Sequence, residues 1–262
     1  MPTVLSKEAR EGMRVAIVLA SLLAMTPLPA AGAAPDAVRL DFKMKSESFE
    51  GTRLASSKVG NEVVFISDHL VISENDQRSV IINSKQERIT FIHHGDKIFE
   101  TTNLPFRLED HVFGDQEDVL KKMSAIATSA VEIRQESETV NHGIWKARRV
   151  YVKSTAPAAG FQIEMDLLLS SDPPIDYHLY DTLPKNLYAM SVFTREWGDQ
   201  VVALEGIAVH QKMTTRMGKM SRIVWSDLLS VERITIPEEK LVPPRSYREV
   251  PFDLSRYFGT AR

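Results

Sequence analysis

The feature that most restricts the fold is an alternation of apolar and polar side chains that begins at Val38. Apolar residues stand at positions 38, 40, 42 and 44, and charged residues stand at 39, 41, 43 and 45. In an extended chain successive side chains point to opposite faces, so a period of two is typical of a half-buried strand. Residues 38–45 are therefore predicted to form an antiparallel strand with one face in a core.

Further short runs rich in β-branched residues follow along the chain. They are residues 62–66, 70–73, 79–83, 88–93, 97–101, 131–139, 144–153, 161–169, 201–204, 207–215 and 221–233. Turn-like segments separate them at 83–86 and 94–96, and the last pair turns at 217–219. Strands this short and closely spaced predict an antiparallel meander, because parallel strands need longer crossovers. The tail from Ile236 to Phe252 is rich in proline and is expected to be extended.

Two segments change period and favour helices. In residues 115–130 an acidic first turn precedes apolar side chains at steps of three and four, and residues 175–195 form one or two helical segments parted at Pro184. The fold class is therefore mainly β (α+β), with one strongly curved antiparallel sheet wrapped around one or two helices.

The N-terminus has the pattern of an export signal. Arg14 precedes an apolar run of 11 residues, Val15–Met25, which is too short for a bilayer because a spanning helix needs about 20 residues. Small residues at 31–33 favour cleavage after Ala33, and Met13 is an alternative start. We expect a signal peptide at 1–33 and a single β-rich exported domain at 34–262, periplasmic or secreted, with no transmembrane segment in the mature chain.

Charge and cysteine content exclude several classes of function. The chain has a formal net charge of −3 with no basic stripe, so nucleic acid is not an expected partner. It contains no cysteine, which excludes disulfides, thiolate chemistry and the lipid-modified cysteine of a lipoprotein.

Three later segments carry a family resemblance. Residues 138–152, the strand 161–169 with the following 170–178, and the finish at 230–251 resemble exported bacterial proteins of the uncharacterised DUF4412 type, which are similar to the periplasmic lipoprotein carriers (LolA/LolB-like). The resemblance covers about residues 38–252 in the order of elements. It implies an open, unclosed barrel with helices on its concave side, and related carriers hold acyl chains in such a cavity.

If the resemblance holds, aromatic and apolar residues on alternating strands would line that cavity. The candidates are Phe42, Phe65, Phe91, Phe99, Trp145, Met165 and Trp225. The same residues would equally serve as an ordinary core.

Patterns of catalysis are missing from the sequence, since it has no G-x-S-x-G, P-loop, G-x-G-x-x-G or H-E-x-x-H motif. Ser67-Asp68-His69 is interpreted as a turn and not as a catalytic triad. His93, His94, His111 and Asp96 have the chemistry of metal ligands but no fixed geometry, and Met213, Met217 and Met220 favour a core or an apolar patch over copper. We expect no catalytic residues, no metal site and no cofactor.

Two functions are favoured, and an enzyme with a site assembled across the fold remains a third possibility. The first is a non-enzymatic periplasmic carrier that binds an apolar ligand, a lipid or an acyl chain, with lipid or lipoprotein as partner. The alternative is a structural or protein-interaction module of the envelope, with a filled core and another envelope protein as partner. Strand edges would be its docking places.

Overall fold

A computed structural model describes residues 25–26, 37–104, 130–156, 161–173, 175, 200, 204 and 206–253. The strands are β1 Met25–Thr26, β2 Ala37–Glu50, β3 Arg53–Ile66, β4 Leu70–Glu74, β5 Arg78–Asn83, β6 Arg88–His93, β7 Ile98–Asn103, β8 Ala130–His142, β9 Trp145–Ala156, β10 Phe161–Ser170, β11 Gly206–Met217, β12 Met220–Ile234 and β13 Arg248–Val250. The predicted meander of short strands is confirmed over 62–101 and 131–169. The last hairpin, β11–β12, is confirmed as well.

All described strands belong to one unclosed sheet. Its order is β13-β7-β6-β5-β4-β3-β2-β12-β11-β10-β9-β8, and β1 pairs with β11 beside this path. Every described pair is antiparallel except β13 with β7, which the tail forms in parallel at the end of the meander. The predicted antiparallel, unclosed sheet is therefore present.

The sheet curls back on itself at the hairpin β8–β9. In a flat sheet the four spacings between β8 and β12 would separate them by about 19 Å. His142 Nε2 of β8 nevertheless lies 3.1 Å from Asp227 Oδ1 of β12. Register shifts that indicate β-bulges occur in β8 after Gln135, in β11 between Ala208 and His210 and in β12 after Leu228, and bulges bend strands and increase their twist. The curl therefore brings the tip of this hairpin over β11 and β12.

The prediction of helices on the concave side is not supported by the described residues. Their helical content is a 3-10 turn at Glu238–Lys240 and the single residue Gln200. The predicted helices 115–130 and 175–195 lie outside the described residues, apart from their ends. Ala130 begins β8 and Ile175 has no regular structure. No helix of the described part is long and apolar enough to span a bilayer.

The sequence analysis underestimated the length of the hairpin β2–β3. The alternation ends at Lys45, but β2 runs on to Glu50 and pairs with β3 from Arg53. Residues 53–59 of β3 are all exposed, so no apolar face marks them as a strand. The prediction of a strand at 201–204 is wrong at Leu204, which lies in a bend, and its other residues lie outside the described part.

The tail covers the outer face of the meander. An outer cluster of buried residues consists of Phe65, Leu70, Ile72, Ile81 and Ile92, and Ile236 and Tyr247 of the tail pack against it. Lys240 Nζ donates to both carboxylate oxygens of Glu74, at 2.5 and 2.6 Å. The extended tail is thus a part of the packed structure.

Candidate functional site

The seven predicted lining residues fall into separate environments. Phe42, Phe91 and Trp145 belong to a central cluster, which also contains buried side chains of β3, β5, β10 and β11. Phe65 is in the outer cluster and Phe99 packs against it. That these residues line a ligand cavity stays a prediction, with an ordinary core as its alternative.

Met165, the sixth predicted residue, lies in a methionine cluster. We define this cluster as the group in which Met165, Met213 and Met220 are buried and Met44 and Met217 pack against them at its margin. It holds five of the ten methionines of the chain. Met44 also contacts the central cluster, so the two apolar regions are continuous. Unbranched, polarisable methionine side chains fill irregular space and adapt to apolar partners.

A buried hydroxyl lies on the strand that carries Met213. Thr215 of β11 is 0% exposed, and its Oγ1 has no hydrogen-bonding partner among the described residues. Residues two apart on a strand share a face, so Thr215 points to the same side of the sheet as Met213. Leaving a buried hydroxyl unsatisfied costs about 1–3 kcal/mol. The methionine cluster therefore has one polar atom that a bound molecule would satisfy.

Trp225, the seventh predicted residue, is only partly buried. The ammonium groups of Lys45 and Lys212 lie 5.0 and 6.0 Å from the centroid of its ring. Cations over the face of an indole are attracted by its quadrupole. In the described structure this tryptophan thus contacts two cations outside the three apolar clusters.

Two histidines and an aspartate meet where the sheet curls. His210 Nδ1 is 2.6 Å and His142 Nε2 is 3.1 Å from the same oxygen, Asp227 Oδ1. The two imidazole rings are 4.9 Å apart between centroids and tilted by 46°. The bulges of β11 and β12 lie next to this group, since the register shift in β11 falls directly before His210 and Leu228 follows Asp227. Bulges re-aim side chains and are common beside functional sites.

The histidines singled out in the sequence are placed elsewhere. His94 hydrogen-bonds Ser79 Oγ at 2.8 Å and the hydroxyl of Tyr247 at 3.2 Å, so it connects the meander to the tail. His93 Nε2 lies 3.8 Å from a carboxylate oxygen of the buried Glu100. His111 lies outside the described residues. The structure thus gives His93 and His94 different partners.

Ser67-Asp68-His69 forms the predicted turn between β3 and β4. The backbone N–H of Ser67 donates to the carbonyl of Leu70 at 2.8 Å, and the side chains of Asp68 and His69 contact each other. Asp68 is exposed and Ser67 is buried. The three residues close a surface loop.

A pocket of about 200 Å³ opens where β3 extends beyond the end of β4. At its wall Glu62 accepts a hydrogen bond from Ser73 Oγ at 2.5 Å. Burial raises the pKa of the Glu62 carboxyl above its ordinary value, while the Ser73 hydrogen bond and the charge of Arg78 lower it. Polar and apolar side chains both line this pocket, and Met44 of the methionine cluster is among them.

The histidine–aspartate group was missed by the sequence analysis. In the structure a two-residue turn, Gly218-Lys219, joins the paired Met217 and Met220, and counting back from it places His210 opposite Asp227; the turn predicted at 217–219 would place His210 opposite Ser226. His142 could not be added in this way, because it lies 68 residues before His210 and reaches the group only through the curl.

Comparisons with known proteins assign no family to this chain. No family model matches the chain, and no curated protein matches it. Among solved structures it is similar to PNGF-II in two crystal forms, C2 and P21, with 10% and 9% identity, 83% and 82% of this chain covered, and a TM-score of 0.36 for each. The chain covers only 32% of the length of PNGF-II.

Proposed function

We propose that the chain is an exported, non-enzymatic binding protein that holds an apolar ligand, a lipid or an acyl chain, against its curled sheet. The observation that supports this proposal best is the methionine cluster, which is continuous with the central cluster through Met44. Thr215 fits the same proposal, because its buried hydroxyl would bond a polar group at the end of an acyl chain.

The direct test uses delipidated full chain and a fluorescent fatty acid, together with mass spectrometry of organic extracts of natively purified protein. We expect saturable binding of the probe and a lipid in the extract. Met44→Gln and Met217→Gln change partly buried side chains at the margin of the cluster, and each should weaken binding by about tenfold, the equivalent of about 1.4 kcal/mol.

Val242→Asp is the matched control, because Val242 is an exposed apolar residue of the tail that lies outside the methionine cluster and outside the pocket lined by Met44. It should bind the probe like the wild type. Absence of probe binding by the wild type, together with a lipid-free extract, would refute the carrier proposal.

A second candidate, an envelope protein-interaction module, is favoured by the free edge of β3. Among the described residues, 53–62 of β3 pair with β2 alone, because β4 pairs only with Val63–Ile66. This edge exposes Leu54 and Val59. An unpaired edge of this kind accepts an added strand from a partner. Leu54→Lys should abolish cross-linking to an envelope protein and leave binding of the fatty-acid probe unchanged, because Leu54 lies outside the pocket lined by Met44.

A further inference from the structure

We propose that His142, His210 and Asp227 bind one divalent transition-metal cation. Their three ligand atoms lie within 4.8 Å of one another. Two imidazoles and a carboxylate are a donor set that suits zinc and similar metals, with bonds of about 2.0–2.2 Å. In a tetrahedral site with such bonds the ligand atoms lie about 3.3–3.6 Å apart, so a contraction of at most about 1.5 Å would complete the site. This proposal is independent of the lipid-binding function.

The hydrogen bonds of the group use the atoms that a cation would take. For both imidazoles to donate to Asp227 Oδ1, His142 must carry a proton on Nε2 and His210 on Nδ1. A metal ion takes the lone pair of a ring nitrogen, so in each neutral imidazole the proton would move to the other ring nitrogen, and the carboxylate oxygen would remain the third ligand. Binding would therefore change the tautomer of both rings and break both hydrogen bonds to Asp227.

The three proposed ligand side chains are partly exposed to solvent. The side chains of His142, His210 and Asp227 are 34%, 23% and 37% exposed. Partial exposure leaves room for water or another ligand at a fourth position, as in metal sites with three protein ligands. The strands β11 and β12 hold His210 and Asp227 in register, and the curl adds His142 from the hairpin tip.

The positive charge of Lys43 lies near the proposed site and disfavours a bound cation, so its removal provides a control experiment. Lys43 pairs with Asp227 across β2 and β12, and side chains of such pairs lie close together. Lys43 is exposed, so solvent screens its repulsion in part. Lys212, two residues from His210, extends over Trp225. Replacing Lys43 by glutamine should therefore tighten metal binding without changing any ligand.

The experiment titrates chelator-treated full chain with Zn²⁺ by calorimetry and with Co²⁺ by visible absorption. We expect one equivalent of each ion, with cobalt bands of a site that has nitrogen ligands, and a melting temperature that rises with Zn²⁺ concentration. His142→Ala, His210→Ala and Asp227→Asn should each weaken binding by at least about tenfold. His69→Ala, in the exposed turn, should have no effect, and Lys43→Gln should bind more tightly.

Two outcomes would overturn the proposal. One is a folded, chelator-treated wild type that binds neither ion, in which case the group is only a hydrogen-bonded clasp for the hairpin. The other is binding that His142→Ala and His210→Ala leave intact. If a ligand variant fails to fold by circular dichroism, the cobalt spectrum of the wild type and the effect of Lys43→Gln still decide between the two roles.

Discussion

At the scale of single residues, the described part of the sheet places a few polar groups in apolar or crowded surroundings. Glu62 is buried beside Ser73, and Thr215 is buried without a partner among the described residues. Burial penalises the charged form of a carboxyl group, and the partners of Glu62 compensate only in part. Such groups make the stability of the fold sensitive to pH and to small substitutions.

Glu62→Gln tests this effect. The folded-state pKa of Glu62 is raised above its ordinary value of 4.5, so the folded chain holds the proton more tightly than the unfolded chain. The resulting stability is present below the unfolded pKa and is lost as the pH rises through the folded pKa. Urea unfolding at several pH values should show that the glutamine variant lacks this loss. As the pH rises above 4.5, the free energy of unfolding should therefore decrease less in the variant than in the wild type.

Ser73→Ala is the complementary change. It removes a hydrogen bond that favours the charged carboxylate, so the loss of stability with rising pH should extend to higher pH than in the wild type. Parallel pH profiles for the wild type and both variants would contradict this account of Glu62.

At the scale of elements, turns and bulges decide how the strands meet. The hairpins β2–β3 and β11–β12 both turn through two residues with a glycine at positive φ, Gly51 at 62° and Gly218 at 57°. The backbone N–H of Gly51 donates to the carbonyl of Lys219 at 2.7 Å, so the two turns lie side by side. Gly206 begins β11 at a φ of 106°, next to the end of β10.

Gly206→Ala should cost more stability than Gly51→Ala. At Gly51 a Cβ meets nothing within 4 Å, so only the left-handed backbone opposes it, at about 1 kcal/mol. At Gly206 a Cβ would lie 3.1 Å from the carbonyl oxygen and 3.2 Å from the nitrogen of Ser170, which are backbone atoms and cannot turn away. We expect a loss of about 2 kcal/mol or more at Gly206, measured by urea unfolding. Equal losses at the two glycines would contradict this explanation.

At the scale of the whole molecule, the sheet buries its apolar side chains by curling and by recruiting the tail. The hairpin β8–β9 returns onto β12, and the tail packs on the outer cluster before it adds β13 beside β7. Residues far apart in sequence therefore depend on each other, as in the contact of the Phe91 and Phe252 rings at 5.6 Å.

Ile236→Ala tests the contribution of the tail. Ile236 is partly buried against the outer cluster, so losing its side chain should lower the free energy of unfolding by about 1–2 kcal/mol. Leu241→Ala is the control on the same segment, because Leu241 is exposed and its loss should stay within about 0.5 kcal/mol. A tail that does not stabilise the meander would give two variants of equal stability.

The strands of the meander and of the last hairpin followed from sequence alone, because alternation and turn residues are local properties. The position of His210 opposite Asp227 did not follow, because the strands are joined by the two residues Gly218-Lys219 and not by the three-residue turn predicted at 217–219. The exposed half of β3 left no such mark, since a strand without a buried face has no apolar period. Binding of an apolar ligand was an expectation from the resemblance, and it stays a prediction.

Sequence by itself determined that this chain forms closely spaced antiparallel strands with one face buried, since each side chain's direction depends only on its neighbours. Only the tertiary structure decided that β8 curls back to β12, that the tail seals the outer face, and that His142 joins His210 and Asp227. These contacts depend on twist and bulges accumulated over several strands, and no short window of sequence contains them.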